Sequence, residues 1–321
     1  DRASLLLPWH RELDALEEAR LADKKYGSTK QGIAPFYSDK YQKKTVLAGE
    51  LLYPEKLWEH LAGILEWKNL TLERVYGAKP YTMDQLKAWI QDFGGKIRPY
   101  VCDTSRYLRQ AQAEGKRILF EAQLGSLRDL DYGIYPYTTS SNPIAAYAPV
   151  GSGLPTAKLD KIIGVVKAYS SCVGEGPFTC EWFGEEAEKL REAGGEYGAK
   201  TGRPRRVGPI DLVATRYGVR CQGATCIALT KMDVMGYMDK IPVCAHYELD
   251  GKVTDEFPFP CVLPDAKPVM EYLPGWKCDI SAARTWEELP QEARDYVEYI
   301  EKNVGCHIGY VSVGPERDSI I

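Results

Sequence analysis

The chain has 321 residues, of which 44% are hydrophobic and 11% aromatic, and this composition excludes a disordered protein. Its 41 Lys and Arg residues against 45 Asp and Glu residues give a net charge of −4, so a broad basic surface for nucleic acid or membrane is not expected. No stretch approaches the ~20 apolar residues of a membrane helix, and the start of the chain lacks a secretion signal.

The cysteines and histidines argue against a disulfide framework and against a zinc site. The nine cysteines, an odd number, include no CxxC pair, and only Cys306 has a histidine beside it. The four histidines show neither metal-ligand nor catalytic-triad spacing. These features predict a reduced, cytoplasmic protein. Because the sequence opens at Asp1 without a methionine and ends on an apolar pair, we also expect it to be a piece of a longer protein.

The first 115 residues have the apolar periodicity of helices. Pro8 stands at a first-turn position before an apolar stripe, and Thr82 with Gln85 forms a capping box before the third helix. Residues 26–40 contain two glycines and Pro35 without periodicity, and they predict a long loop. Helices are predicted near residues 8–21, 57–65, 82–93 and 103–115.

After residue 116, short β-rich runs alternate with helices. Strands are predicted at residues 117–121, 161–171 and 225–230 and after residue 306, and helices at 185–193 and 289–303. Asp250 and Gly251 form the turn of a predicted hairpin, and this turn needs positive φ. The alternation predicts an α/β fold with a mainly parallel central sheet flanked by helices, and ligands at the carboxyl ends of its strands. We expect one domain over residues 1–321 with a helical insertion at about 54–115.

A lysine and an aspartate follow the predicted strand at residues 225–230. Lys231 and Asp233 are two residues apart, so at a strand end their side chains are expected to reach one ligand. A carboxylate offers two acceptors to the adjacent N1–H and N2–H₂ donors of guanine, whereas adenine has an acceptor at N1. The pair therefore indicates a guanine site, and a surface ion pair is the alternative interpretation.

Residues 200–208 place three arginines, Arg203, Arg205 and Arg206, in a Gly/Pro loop. Guanidinium groups suit carboxylates and phosphates, and three within four residues repel one another unless an anion lies between them. Pro204 favours an extended Arg203, so Arg203 and Arg205 are expected to point to opposite sides and to contact two ligands. A solvated basic patch is the alternative.

A run of hydroxyl residues lies between aromatic residues at positions 133–142, GIYPYTTSSN. Its threonines and serines suit the oxygens of a sugar or a phosphate. On its own the run is a weak signal, because Ser and Thr cap helices more often than they bind ligands.

Several long motifs, taken in order, resemble adenylosuccinate synthetase, a family of GTP-dependent ligases that join IMP and L-aspartate. They cover nearly the whole chain and include GSTKQGIAPFYSDK, FEAQLGSLRDLDYGIYPYTTSSN, GAKTGRPRRVGPIDLVA and LTKMDV. The resemblance implies a single α/β domain related in active-site design to P-loop nucleotide enzymes. It also implies GTP, IMP and L-aspartate as ligands, Mg²⁺ as cofactor, and a homodimer whose partner chain completes the IMP site.

The same motifs imply which residues contact each ligand. The IMP contacts are Thr29, Lys43, Gln123, Leu124, Thr139 and Arg203, with the two threonines on the phosphate and the arginine on the ribose. The aspartate-binding loop contains Ala199, Lys200, Thr201, Gly202, Arg203 and Arg205. The GTP contacts are Arg205 on the γ-phosphate, the guanine readers Lys231, Met232 and Asp233, and the segment Ser312, Val313 and Gly314, which closes over the base.

This chain departs from the family pattern at several of these positions. Lys43 replaces an arginine that reaches across the dimer to the IMP phosphate, so the charge is kept and the bidentate fork is lost. The usual GAQG becomes AQLG, which puts Leu124 at the glutamine position and Gln123 one residue early. Lys200, Gln31 and Pro204 replace a threonine and two arginines. These changes raise the alternative of a ligase for another purine monophosphate, such as dGMP.

The family's first segment carries a glycine-rich GDEGKG loop, with an aspartate that acts as general base and Mg²⁺ ligand, followed by a histidine that acts as general acid. This sequence contains no such loop, and His10 does not match that histidine. The chemistry needs the base to deprotonate the purine while the γ-phosphoryl group moves to the purine 6-oxygen, which makes a phosphate leaving group that the amine of aspartate displaces from the ring. We therefore expect no catalytic or metal-binding residue here, and no activity from this chain alone. A non-catalytic nucleotide-binding paralogue is the alternative.

Overall fold

The computed structural model describes residues 1–198 and 202–321, which form two compact units. The first unit comprises Asp1–Ala122, Thr139–Asn142 and Tyr147–Ala157. The second comprises Gln123–Thr138, Pro143–Ala146 and Lys158–Ile321. The single domain over residues 1–321 stays a prediction.

Within the described residues, helices and strands have the following bounds. The helices are α1 (Pro8–Leu21), α2 (Ile33–Tyr41), α3 (Pro54–Tyr76), α4 (Met83–Trp89), α5 (Gly95–Ile97), α6 (Thr104–Ala113), α7 (Tyr147–Ser152), α8 (Gly184–Gly194), α9 (Leu212–Gln222) and α10 (Gln291–Val304). The strands are β1 (Ile163–Lys167), β2 (Tyr169–Cys172), β3 (Arg206–Asp211), β4 (Cys226–Thr230), β5 (Lys240–Leu249), β6 (Lys252–Thr254), β7 (Lys267–Pro274) and β8 (Ile308–Val311).

The first unit is helical, and its core is formed by α1, α3 and α4. Leu13, Leu61 and Leu86, one from each of these helices, are buried in a single hydrophobic cluster. Pro54 starts α3, where its missing N–H costs no hydrogen bond, and Gly77 ends the helix in the left-handed conformation. The four predicted helices of this region are confirmed, although the predicted segment at 57–65 covers only part of the N-terminal half of α3.

A buried charged cluster joins α1, α2 and α3. The Asp39 carboxylate lies 2.9 Å from His10 Nε2 and accepts a second bond from Lys68 Nζ, and all three side chains are buried. The backbone N–H of Leu7 donates to His10 Nδ1 at 2.8 Å, so both ring nitrogens of His10 have partners within the unit. The pairing of Asp39 with Lys68 keeps both charges from being buried alone.

The loop predicted at residues 26–40 is wrong in its second half, because α2 begins at Ile33. Gly32 has φ +86°, and a Cβ there would lie 2.7 Å from the backbone of His10, so only glycine allows this approach to α1. Pro35 is tolerated because it lies in the first helical turn, where N–H groups have no partner within the helix. Phe36 packs edge-on against the His10 ring. This tertiary contact stabilises α2, although the sequence of the helix lacks apolar periodicity.

The second unit contains two sheets, and the predicted α/β class with parallel strands is confirmed. One sheet is parallel throughout, with strand order β1-β4-β8. The other has the order β2-β3-β5-β6 with β7 also on β5; its β3-β5 pair is parallel and its other pairs are antiparallel. A large hydrophobic cluster includes Ile227 and Leu229 of β4 and Tyr296 and Ile300 of α10.

The strand predictions after residue 116 need two corrections. The predicted strand at 117–121 is wrong: these residues have no regular structure, and Leu119 is 91% exposed. The predicted strand at 161–171 is two strands, β1 and β2, which belong to different sheets. The hairpin is confirmed, since Asp250 and Gly251 have φ of 51° and 72° between β5 and β6.

Candidate functional site

Three parallel strands of the second unit end at one edge of their sheet. Lys167 at the end of β1 pairs with Thr230 at the end of β4, and Leu229 pairs with Val311 at the end of β8. The next residues of β4 and β8 therefore leave the sheet side by side, and Met232 N donates to Ser312 O at 3.3 Å. The structure thus brings together the predicted guanine segments 231–233 and 312–314.

The 231–233 segment is a turn and does not continue the strand. Lys231 has φ 66°, and a 3₁₀ helix follows at Met232–Met235. The expectation that Lys231 and Asp233 lie on the same face of a strand is therefore wrong. The Met232 side chain is buried in the core, while Lys231 and Asp233 on either side of it are half-buried. Among the described residues, the Asp233 carboxylate has no hydrogen-bond or ion-pair partner, which leaves its acceptors open to a ligand.

The 312–314 segment is packed against the end of the chain. Val313 is fully buried and its N–H donates to Ser319 O at 2.9 Å, while Ser312 Oγ donates to Gly314 O at 2.9 Å. A Cβ on Gly314 would lie 3.0 Å from Ser319 Oγ. The side chain of Val313 therefore serves the core, and the backbone of the segment borders the Lys231 turn.

The arginine loop stands on a pair of antiparallel chain segments. Arg205 N donates to Glu196 O and Gly198 N donates to Arg203 O, each at 2.9 Å. Tyr197 and Pro204 form an isolated antiparallel β-bridge between these segments. Gly202 has φ +62° and its N–H donates to Gly198 O at 2.7 Å. The predicted aspartate-binding residues Ala199, Lys200 and Thr201 lie outside the described residues.

Each arginine of the loop is paired with a carboxylate of the chain. Arg203 lies 3.4 Å from Glu175, and Arg205 lies 2.9 Å from Glu196. Arg206 Nε donates to Glu181 at 2.8 Å. The expectation that an outside anion must separate the three arginines is therefore wrong, because three carboxylates of the chain do so. A fully solvated basic patch is also wrong for Arg205 and Arg206, which are mostly buried.

Glu196 is the centre of a hydrogen-bonded cluster that sequence reasoning missed. Its carboxylate accepts bonds from Lys167 Nζ at 2.6 Å, Tyr169 Oη at 2.6 Å and Arg205 Nη1 at 2.9 Å. Burial alone would raise the pKa of Glu196, but the bonds from Lys167 and Tyr169 and the charge of Lys167 hold this pKa below 4.5. The available signal was a single acidic residue directly before an arginine-rich loop.

Burial acts in the opposite sense on the lysine of this cluster. It lowers the pKa of Lys167 from 10.5, the bond and charge of Glu196 oppose that shift, and the charges of Arg205 and Lys231 add to it. Lys231 Nζ itself donates to Gly194 O at 3.0 Å, at the carboxyl end of α8, where a cation is favoured. Lys167, Arg205 and Lys231 therefore bring positive charge to one end of the parallel sheet.

In the first unit, the loop that carries Thr29 is supported by two buried carboxylates of α1. Glu18 accepts the N–H groups of Tyr26, Gly27 and Ser28, each at 3.1 Å. Asp14 accepts from Ser28 Oγ at 2.7 Å and from Gly32 N at 2.8 Å. Thr29 is exposed at the tip of this loop.

The other predicted IMP residues are exposed or half-buried. In the first unit Lys43 is exposed after α2 with φ 63°, and Thr139 is half-buried with its Oγ1 3.5 Å from Ser141 Oγ. In the second unit Gln123 and Leu124 are exposed, and Leu124 has φ 80°. Arg203 is 51% exposed beside Glu175.

Residues 1–198 and 202–321 show neither a metal-binding cluster nor a membrane-spanning helix. In these ranges no group of three or more His, Cys, Asp and Glu side chains is arranged to hold a metal ion. None of the helices in these ranges is both long and apolar enough to span a bilayer. All nine cysteines are free thiols.

Comparisons with known proteins agree with one another. The family model for adenylosuccinate synthetase matches residues 1–321. The adenylosuccinate synthetase of Streptococcus gordonii is 43% identical over 319 residues, which cover 99% of this chain and 74% of the relative. That of Caldanaerobacter subterraneus is 42% identical over 322 residues, covering 100% and 75%.

Two solved structures are similar to the chain. Fully ligated adenylosuccinate synthetase from Plasmodium falciparum has a TM-score of 0.92 and 31% identity, covering 99% of this chain and 76% of the other. Succinoaminodeoxyadenylate synthetase of cyanophage S-2L, bound to dGMP and dATP, has a TM-score of 0.54 and 16% identity, covering 99% and 66%. The latter similarity concerns the fold alone.

Proposed function

This chain belongs to the adenylosuccinate synthetase family, the GTP-dependent ligases that join IMP and L-aspartate in purine biosynthesis, and we propose how its residues serve that reaction. The observation that carries the proposal is the common edge of the β1-β4-β8 sheet. There the Lys231 turn, the 312–314 segment and Arg205 border one cluster of charges.

GTP is bound by its base at the Lys231 turn. The open carboxylate of Asp233 accepts hydrogen bonds from guanine N1–H and N2–H₂, and adenine offers no such pair of donors. The stem of Lys231 lies along the base, with its ammonium group held by Gly194 O. Met232 and Val313 have buried side chains, so their part in the site is through the backbone.

Arg205 faces the γ-phosphate of GTP and the carboxylate of aspartate. Its Nη1 is bonded to Glu196, whereas its Nε is buried without a hydrogen-bond partner among the described residues. The Arg205 side chain as a whole is 30% exposed, so an oxygen of either anion can reach its guanidinium group and accept a charge-assisted hydrogen bond. The aspartate-binding loop is proposed to comprise Ala199, Lys200, Thr201, Gly202, Arg203 and Arg205.

IMP is bound by Thr29 and Thr139 at its phosphate and by Arg203 at its ribose. The side chains of Thr29 and Arg203 are exposed, and Arg203 also pairs with Glu175. Leu124 and Gln123 are proposed for the remaining contact with the nucleotide, and Lys43 for a contact in the partner subunit of a homodimer. Lys43 is exposed, as this role requires.

The reaction proceeds through transfer of the γ-phosphoryl group to the purine 6-oxygen, followed by displacement of that phosphate by the amine of aspartate. Arg205 stabilises the negative charge during this transfer. His10 is not a general acid, because its ring is buried and bonded to Leu7 and Asp39. Mg²⁺ is proposed as cofactor, and the described residues contain no set of ligands for it.

A cytoplasmic location is also proposed. The nine free cysteines support it, since free thiols persist in a reducing compartment. The proposed partners are GTP, IMP, L-aspartate and a second copy of the chain.

Adenylosuccinate formation from IMP, aspartate and GTP by the full-length protein tests the proposal. Competition binding then compares IMP, GMP and dGMP, because Leu124 replaces the family's glutamine. We expect IMP to bind tightest, and a clear preference for dGMP would instead make this a ligase for another purine monophosphate. Binding of GTP and IMP without any product would favour the non-catalytic paralogue.

A further inference from the structure

Glu196 lies outside the proposed ligand contacts, yet its carboxylate is the most enclosed charged group at the sheet edge. The side chain is 1% exposed, and Lys167 and Tyr169 bond to Oε1 while Arg205 bonds to Oε2. A carboxylate buried to this degree is stable only when its acceptors are paired. Those partners come from two segments of the chain, Lys167 and Tyr169 from the junction of β1 and β2, and Arg205 from the arginine loop.

Arg205 is attached to Glu196 at two points. Its backbone N–H donates to Glu196 O and its Nη1 donates to the Glu196 side chain, each at 2.9 Å. Arg191 Nε adds a bond to Arg205 O at 2.9 Å. Two bonds to one residue fix both the position and the direction of the guanidinium group before a ligand arrives.

The same chain segment holds Lys231. Gly194 O accepts the bond from Lys231 Nζ at 3.0 Å, and Glu196 follows two residues later. Residues 194–196 therefore support one cation on the side of the proposed guanine site and another at the base of the arginine loop.

The charges of the cluster favour an anion. Lys167 and Arg205 bond to Glu196, the charge of Lys231 acts on Lys167, and the charge of Asp233 acts on Tyr169. Three cations against two carboxylates leave positive charge in a partly buried place. Negative groups of the substrates balance this charge when they bind.

We propose that Glu196 is a positioning residue for the ligation reaction: it directs Arg205 toward the γ-phosphate and aspartate and, through residues 194–196, ties Arg205 to Lys231. This inference rests on the proposed function of Arg205. Glu196 does not touch substrate, so its effect on the reaction passes through the arginine.

Glu196→Gln in the full-length protein is the decisive variant. Glutamine keeps the volume, but its amide nitrogen is a donor and faces another donor, so at least one of Lys167 and Arg205 loses its bond. We expect KM for GTP and for aspartate to rise about tenfold or more, as for a lost bond to a charged group, while KM for IMP changes little. Glu196→Asp keeps the charge and should restore part of the loss.

Glu181→Gln is the matched control. Glu181 is mostly buried and pairs with the neighbouring Arg206, which has no proposed substrate contact. Its loss should lower stability and leave KM for GTP and aspartate unchanged. Equal changes of KM in both variants would reduce Glu196 to a structural role and overturn the inference.

Arg205→Met separates this inference from the proposed function. If it leaves KM for GTP and aspartate unaltered, the proposed contacts of Arg205 are wrong. If it raises both while Glu196→Gln raises neither, only the positioning role fails. If Glu196→Gln does not fold, Tyr169→Phe and Glu196→Asp test the positioning role instead. A rise in KM for GTP and for aspartate supports the role. If neither variant raises either KM value, the inference is overturned.

Discussion

The hydroxyl group of Tyr169 fills the space that a Cβ atom on Gly194 would need. The same hydroxyl donates to Glu196 at 2.6 Å, and the carbonyl of Gly194 accepts from Lys231 at 3.0 Å. The lack of a side chain at the last residue of α8 is therefore a condition for the whole Glu196 cluster.

Gly194→Ala should lower the free energy of unfolding by about 1–3 kcal/mol, because the new methyl group displaces Tyr169. Gly63→Ala in α3 is the matched control, since no atom lies within 4 Å of its added Cβ. There alanine should stabilise the protein by about 0.5–1 kcal/mol through its helix propensity. Urea unfolding of both variants measures whether the free energy of unfolding falls for Gly194→Ala and rises for Gly63→Ala. Stabilisation by Gly194→Ala would contradict the close contact.

Asp233→Asn should weaken GTP binding by about 1–3 kcal/mol, or roughly 5- to 150-fold, because the amide cannot accept from both guanine donors. The same variant should improve binding of xanthosine triphosphate, whose 2-oxo group accepts from the new amide. Calorimetric titration with both nucleotides measures the change.

Asp239→Asn is the control for the guanine site. Asp239 is exposed, pairs with Lys277 and has no proposed ligand contact. Its substitution should leave GTP affinity unaltered. An Asp233→Asn variant that binds GTP as well as Asp239→Asn does would remove Asp233 from the site.

The stability of the protein should depend on pH through Glu196. Because the pKa of Glu196 lies below 4.5 in the folded state, the unfolded state binds the proton more tightly. The stability gained from the charged group is therefore present above pH 4.5 and is lost as the pH falls through the folded pKa. Urea unfolding can be measured for the protein and for Glu196→Gln between about pH 7 and about pH 3. The difference between their free energies of unfolding should become smaller as the pH falls. A constant difference would contradict the lowered pKa.

Glu18→Gln should loosen the Thr29 loop and raise KM for IMP, because one oxygen of an amide cannot hold three backbone N–H groups. The expected loss of stability is about 1–3 kcal/mol, as for buried donors left unsatisfied. Glu17→Gln is the control on the next residue, whose carboxylate pairs with the exposed Arg20. Steady-state kinetics with varied IMP should separate the two, and identical KM values would dissociate the loop from IMP binding.

The sequence predicted those parts of the fold that local patterns determine. The capping box of Thr82 and Gln85 and the turn at Asp250-Gly251 lie where they were expected. The α2 helix was missed because its stability depends on Gly32 and Phe36 packing against His10, a contact between segments distant along the chain. The strand at 117–121 was predicted from apolar residues alone, without a partner strand to test it.

For the site, the sequence placed residues 231–233 directly after a strand, as the structure does, and family motifs added residues 312–314, which lie beside them. The Glu196 cluster was not predictable in the same way. Lys167 and Glu196 are 29 residues apart and meet only because β1, β2 and the arginine loop converge. Likewise, the carboxylates that separate the three arginines lie 9 to 28 residues earlier in the chain.

The carbonyl of Gly194 accepts from Lys231, and the carboxylate of Glu196 accepts from Arg205. The choice of nucleoside triphosphate by this ligase therefore depends on more than the contact with the base. Engineering the protein to use a different nucleoside triphosphate would have to treat the carboxyl end of α8 and the turn after β4 as one unit. A change confined to the base-reading aspartate would alter recognition of the purine while leaving the phosphate-facing arginine in its original setting.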